Sequence, residues 1–359
     1  MSIENQAVFY LRNVSDYDQN IKNKALLTES VINGFYEFSN LLRTIYQDWR
    51  SYEISTISSE RTKIGIMTDD LENYHNLTFT LDFLFAIAVV GELKAEGETP
   101  FIDVNKSLLK NEYKQSVAFP FLMLEKYGFY FYYFKCGKEI NEYKSCDCFH
   151  VYYDNGRYLI ESIKYIAHQL MKQEMKKEIP AKVAFMLADY DFILTGHINQ
   201  NPLQESIKRT LGQLSGLWEE LVRVMQNECG FIADSLFNPY VFPNRTVTFK
   251  EHKKTICKLS ISVDRLNIRL PLSFEMAKEL ILKRNSLPQS INQNIDIFGC
   301  VNCGKCEGNS NIVMVEGVPL CNLPYSNFVT EDSRCLHFDV TSIEEVNIIC
   351  DVIRRLFKN

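Results

Sequence analysis

The chain has 359 residues, 46% of them hydrophobic and 23% charged, with a formal net charge of −6, 15 Gly and 10 Pro. That length exceeds what one hydrophobic core usually supports, and that composition excludes long disordered or low-complexity tracts. The negative balance gives no global basic field, so coating of nucleic acid or of an anionic membrane by the whole molecule is not favoured.

Met1 to Val14 carries Glu4 and polar residues where a secretion signal would carry a basic head and an apolar core, so no signal peptide is read here. The longest apolar run, Phe83 to Val90, falls far short of the roughly 20 residues that span a bilayer, which argues against a membrane segment. Eleven cysteines without a secretion signal point to a reducing compartment and a cytoplasmic location.

Val31, Phe35, Phe38, Leu42, Ile45 and Trp49 recur at steps of four and three, which predicts an amphipathic helix from about Asn23 to Arg50. This stripe is a core face first and a homodimer seam second. Tyr52 to Asp69 reads as a loop, and Leu77 to Val90 as a buried helix or strand. Gly91 to Pro100 breaks the pattern, and Lys106 to Tyr127 resumes a helical one, kinked at Pro120 and ended by Gly128. Phe129 to Phe134 is an aromatic strand whose partner is Cys148 to Tyr153, followed by the turn Asp154-Asn155-Gly156. Leu159, Ile163, Ile166 and Leu170 mark another helix, closed at Pro180. A short helix over Ala181 to Leu194 and a long stripe from Ile207 to Met225 come next.

Near residue 240 the period changes to two. Cys257 to Val263 and Leu266 to Leu270 form a hairpin, Val247 and Phe249 open an earlier strand, and Phe274, Ala277 and Ile281 mark a covering helix. Thr341-Ser342-Ile343-Glu344 reads as a capping box that opens a final helix, with Ile343, Val346, Cys350, Ile353 and Phe357 on its apolar face. The expected architecture is α+β. A mainly helical unit with a short aromatic hairpin spans 1–240, a small antiparallel sheet with its covering helix spans 241–298, and a zinc-knuckle-like cysteine segment with the last helix spans 299–359.

The chemistry concentrates in that last part. Cys300, Cys303, Cys306, Cys321, Cys335 and His337 fall within 38 positions. In Cys303-Gly304-Lys305-Cys306 the glycine permits the tight turn that aims two sulfurs at one ion, and Ile312 to Cys321 reads as strand, tight turn and strand. The arrangement resembles half of a zinc ribbon, with a single Cys321 where a second Cys-x-x-Cys would stand. A tetrahedral zinc held by Cys303, Cys306, Cys321 and one of Cys300, Cys335 or His337 is therefore expected, in a structural role. The second reading is an iron–sulfur cluster, since Cys300, Cys303 and Cys306 have the spacing of the first three ligands of a bacterial ferredoxin run, although Ser310 stands where its fourth cysteine would. Free thiols without metal are the third.

Cys146, Cys148 and His150 would share one face of a strand and are read as ordinary packing, with metal binding as the alternative. Asp189 and Asp191 are read as solvated acids. No phosphate loop, dinucleotide fingerprint, nucleophile elbow or HExxH is present. The expectation is a non-enzymatic intracellular binding or regulatory protein with a structural zinc. The alternative is a thiol or iron–sulfur redox protein, or a metal-dependent enzyme using the same cysteines.

Overall fold

The computed structural model describes residues 3–14, 27–52, 69–172, 178–195, 201–234, 245–251, 254–296, 298, 311–322 and 334–357. It is an α+β protein in two compact units, 1–202 and 203–359. The sequence pattern changes period near 240, but the boundary between units falls earlier, so the helices between 203 and 228 belong with the second sheet.

In unit 1, helices α1 (Ile3–Asn13), α2 (Glu29–Gln47) and α3 (Asp69–Val90) precede the strands β1 (Glu92–Glu96) and β2 (Thr99–Asn105). Thr28 caps α2 by accepting from the Val31 N–H, and Phe35, Phe38, Leu42 and Ile45 are fully buried along its predicted stripe. Residues 23–26 of that predicted helix lie outside the described residues. So does nearly all of the predicted loop from Tyr52 to Asp69. The apolar run ending at Val90 is the second half of α3, which settles helix over strand.

Helices α4 (Lys106–Glu112) and α5 (Ala118–Lys126) replace the single kinked helix predicted over Lys106 to Tyr127. The break lies at 113–117 and not at Pro120, because Pro120 occupies the first turn of α5, where its missing N–H leaves no hydrogen bond unmade. Gly128 ends α5 with φ of 98°, a conformation that favours glycine. Strands β3 (Phe129–Lys135), β4 (Lys138–Ile140) and β5 (Cys148–Tyr153) complete a five-stranded antiparallel sheet of order β1-β2-β5-β3-β4.

Helices α6 (Leu159–Lys172), α7 (Glu178–Met186) and α8 (Tyr190–Thr195) finish the unit. Pro180 does not close a helix; it sits in the first turn of α7, again where its lack of an N–H is harmless. Gly34 lets α2 lie close against α6, since a Cβ there would stand 1.7 Å from Ser162 Oγ. The sheet buries one face, with Ile102, Val104, Phe149, Val151 and Phe129 all at or near zero exposure, against α3, α5 and α6. Each such side chain contributes about 1.5–3 kcal/mol by leaving water.

In unit 2, α9 (Asn201–Leu211), α10 (Ser215–Val222) and a π-helical turn at Arg223–Glu228 lead into β6 (Ile232–Asp234), β7 (Arg245–Glu251), β8 (Lys254–Ser262) and β9 (Arg265–Pro271). Their sheet has the order β12-β9-β8-β7-β6, with β12 (Cys335–Asp339) added at the edge. Cys257, Leu259 and Ile261 alternate inward on β8, as do Leu266, Ile268 and Leu270 on β9, as their period of two requires. Helix α11 (Phe274–Leu282) brings Ala277 and Ile281 into the same core, and α12 (Gln289–Asp296) follows.

The hairpin β10 (Ile312–Val315) and β11 (Val318–Cys321) turns through Glu316 and Gly317, both at positive φ, and packs on α11. The final helix α13 (Ile343–Phe357) buries Val346, Cys350 and Ile353, whereas Ile343 is exposed. Its capping box lies one residue later than predicted. Ser342 Oγ accepts from the Glu345 N–H, and Glu345 accepts in return from the N–H groups of Thr341 and Ser342. Thr341 and Glu344 have the same three-residue spacing as Ser342 and Glu345, so the shift follows from where the helix starts: its first residue is Ile343, which puts Ser342 at the N-cap. Among the described residues no helix is long and apolar enough to cross a membrane.

Candidate functional site

The unit 1 sheet has a second face, and its side chains follow from register. Tyr130, Tyr132 and Phe134 on β3 alternate with the inward Phe129 and Phe131. They stand beside Tyr152, His150 and Cys148 on β5, and these in turn beside Phe101, Asp103 and Asn105 on β2. At the two edges, Lys94 and Glu96 of β1 and Glu139 of β4 point the same way, as their pairing with Phe101, Thr99 and Phe134 requires.

This face lines an open cavity of about 830 Å³. Tyr130 and Tyr132 remain 41% and 47% exposed within it. The rings form one connected array. His150 lies between Phe101 at 4.4 Å and Phe134 at 4.3 Å, Phe101 stacks on Tyr152 at 5.0 Å, and Tyr132 meets Tyr152 edge-on at 5.5 Å. Such contacts hold the rings in place and leave their outer surfaces free for a ligand.

The polar groups sit at the corners. Asp154 accepts a hydrogen bond from the Tyr130 hydroxyl, which raises that phenol's pKa, and Glu96 accepts from the Tyr152 hydroxyl at 3.4 Å. Glu139 stands across from Phe134 at the other end of β3. Lys94 is held by Asp103 and lies 3.7 Å from Glu92, so its charge is met outside the cavity. Among the described residues lining the cavity there is no lysine or arginine. His150 has its pKa lowered below 6.5, chiefly by burial, with Asp103 at 3.7 Å opposing the shift. It is therefore neutral near pH 7, and the cavity carries net negative charge.

An activated nucleophile is not found on this face. Cys148 lies two positions before His150 and near Asp103, but burial and the charges of Asp103 and Asp147 raise its pKa, so the reactive thiolate is scarce. Cys146 is buried just before β5 and Cys148 is half-buried, in line with packing roles for both.

In unit 2, Cys300, Cys303 and Cys306 lie outside the described residues. Cys321 ends β11 and Cys335 begins β12, both buried. Arg334, which directly precedes Cys335 in the chain, donates from its Nη1 to the Cys321 carbonyl oxygen at 2.7 Å, and its side chain is buried. His337 is exposed on β12, and its N–H donates to Asn294 Oδ1. Among the described residues no three His, Cys, Asp or Glu side chains are grouped as a metal site. Cys257 and Cys350 are buried in the unit 2 core, and burial pushes the thiols of both up.

The aromatic–acidic face was not singled out by the sequence, although two signals for it were present. Phe101, Asp103 and Asn105 alternate with Ile102 and Val104. The run Phe129 to Phe134 is aromatic at both odd and even positions, so one of its faces had to carry rings away from the core. No protein-family model matches this chain, and neither a curated protein nor a solved structure is detectably similar to it.

Proposed function

We propose that this chain is a non-catalytic intracellular binding protein whose working surface is the open aromatic face of the unit 1 sheet. The observation that carries the reading is the pairing of exposed Tyr130 and Tyr132 with three carboxylates around a cavity of about 830 Å³, within the size range of ligand sites. Large rings left facing water beside polar groups are a feature of recognition surfaces, where they supply contact area at little conformational cost. The raised pKa of Cys148 leaves its thiolate scarce, so this face presents no activated nucleophile. The described cysteines are free, which suits a reducing compartment.

The test uses the exposed pair. Tyr130→Ala combined with Tyr132→Ala removes ring surface without opening the core, so the fold is retained. Thermal-shift titrations with peptide, oligonucleotide and small-molecule panels should include a class that raises the Tm of the parent chain and not that of the double variant. If every class that shifts the parent shifts the variant equally, the face is not the working surface.

A structural zinc belongs to the same proposal, held by Cys303, Cys306, Cys321 and one of Cys300, Cys335 or His337. Its support is Arg334. A zinc ion bound by three or four thiolates carries net negative charge, and a buried guanidinium held at the Cys321 carbonyl suits that charge. Zinc analysis of protein purified without chelators tests it. About one zinc per chain, lost in Cys321→Ser with Cys335→Ser, is the expected result. Iron with sulfide would move the assignment to the cluster reading.

A further inference from the structure

We infer that the open sheet face of unit 1 takes an extended basic peptide segment, with arginine side chains at positions i and i+4 seated at its two acidic ends. This rests on the binding-surface reading above and names the occupant.

Geometry comes first. Asp154 is bonded to Tyr130 at one end of β3, and Glu139 stands across from Phe134 at the other. Four residues of strand separate those positions, about 13 Å at the rise of an extended chain. No single small cation spans that distance. In an extended peptide, side chains at i and i+4 emerge on the same side and about 13 Å apart, so two of them match the two ends. Glu96 supplies a third carboxylate across the sheet, beside the Tyr152 hydroxyl.

Charge and ring chemistry favour arginine. Each acidic corner has a ring beside it: Tyr130 at Asp154, Tyr152 at Glu96, Phe134 at Glu139. A guanidinium can lie flat on an aromatic ring and at the same time pair edge-on with a carboxylate, which an ammonium does less well. Tyr132 and the neutral His150 between the ends offer apolar surface for the intervening residue that points inward. Surfaces that stack nucleobases need cations for the phosphates. The described lining has none, so single-stranded nucleic acid is disfavoured by charge.

The test is a fluorescence-anisotropy titration of the full chain with a short labelled peptide carrying arginine at i and i+4 in a glycine–serine background. Two control probes are the same peptide with glutamine for both arginines and an oligouridine RNA. Saturable binding is expected, with affinity falling about tenfold on removing either arginine and by a similar factor in Glu139→Gln and in Tyr132→Ala. Raising the salt should weaken it further. Equal peptide binding by the parent and both variants would overturn the proposal, as would undiminished binding of the glutamine peptide. If the peptide fails to bind while oligouridine binds and Tyr132→Ala abolishes that binding, the occupant is wrong and the binding face stands. If neither probe binds, the basic-peptide assignment falls, and the double tyrosine variant judges the face separately.

Discussion

Phe101 on β2 and Tyr152 on β5 stack across neighbouring strands with ring centroids 5.0 Å apart and planes 24° apart. The two differ from Tyr132, one strand further on, in what they support. Phe101 is 7% exposed and is covered by its neighbours, whereas Tyr132 is 47% exposed. Phe101→Ala should therefore lower the stability of unit 1 by about 3 kcal/mol, while Tyr132→Ala should change it by less than about 1 kcal/mol. Urea unfolding followed by tyrosine fluorescence separates the two, and both variants should lose ligand binding.

His150 makes the same face sensitive to acid. Its pKa is lowered below 6.5, mainly by burial, so the unfolded chain binds the proton more readily than the folded one. Its neutral form favours the folded state above about 6.5, and that advantage is lost as the pH falls below this value. The protonated ring would also repel a cationic ligand. In His150→Gln, the loss of stability between pH 6.5 and lower pH should be smaller than in the parent, as seen in melting temperatures across that range.

Gln6 on α1 is fully buried, and among the described residues neither its amide nitrogen nor its oxygen has a hydrogen-bond partner. A buried amide left unmatched opposes folding. Methionine has a similar length and no strong polar group, so Gln6→Met should raise the stability of unit 1 by about 1 kcal/mol. A fall in melting temperature would show that the amide is satisfied in solution by water.

Glu345 acts in unit 2 as a buried clasp. Although burial alone would raise its pKa, hydrogen bonds from Ser290, Thr341 and Ser342 hold it below the ordinary 4.5. The carboxylate thus stabilises the fold above about pH 4.5, and that contribution is lost as the pH falls below it. Glu345→Ala should destabilise unit 2 by about 2 kcal/mol at neutral pH and reduce the acid sensitivity of its unfolding.

Strong periodicity made much of the fold legible. The β8–β9 hairpin, the β3–β5 pairing, the α2 stripe and the Glu316-Gly317 turn all follow from residues whose alternation or backbone preference allows few other outcomes. The candidate site was less legible for a physical reason. Glu92 to Glu96 is an edge strand exposed on both faces, so it has no apolar period and reads as a break between helices. Without β1, the strand character of Phe101 to Asn105 goes unnoticed, and Asp103 and Glu96 are not placed beside the tyrosines. Pro120 and Pro180 read as interruptions in the sequence for a similar reason, yet each stands in the first turn of a helix, which tolerates proline. The cysteine spacing drew attention to 300–337, and of that segment Cys321, Cys335 and His337 are the ligand candidates the described residues place.

The open face of the unit 1 sheet is the proposed binding site of this protein. Hydrogen exchange read by mass spectrometry, on the full chain with and without the two-arginine peptide, tests it most directly. Slower exchange is expected, confined to peptides covering β1 to β5, with no such protection in Tyr130→Ala/Tyr132→Ala. Protection that appears only within 203–359, or equally in the double variant, would contradict it.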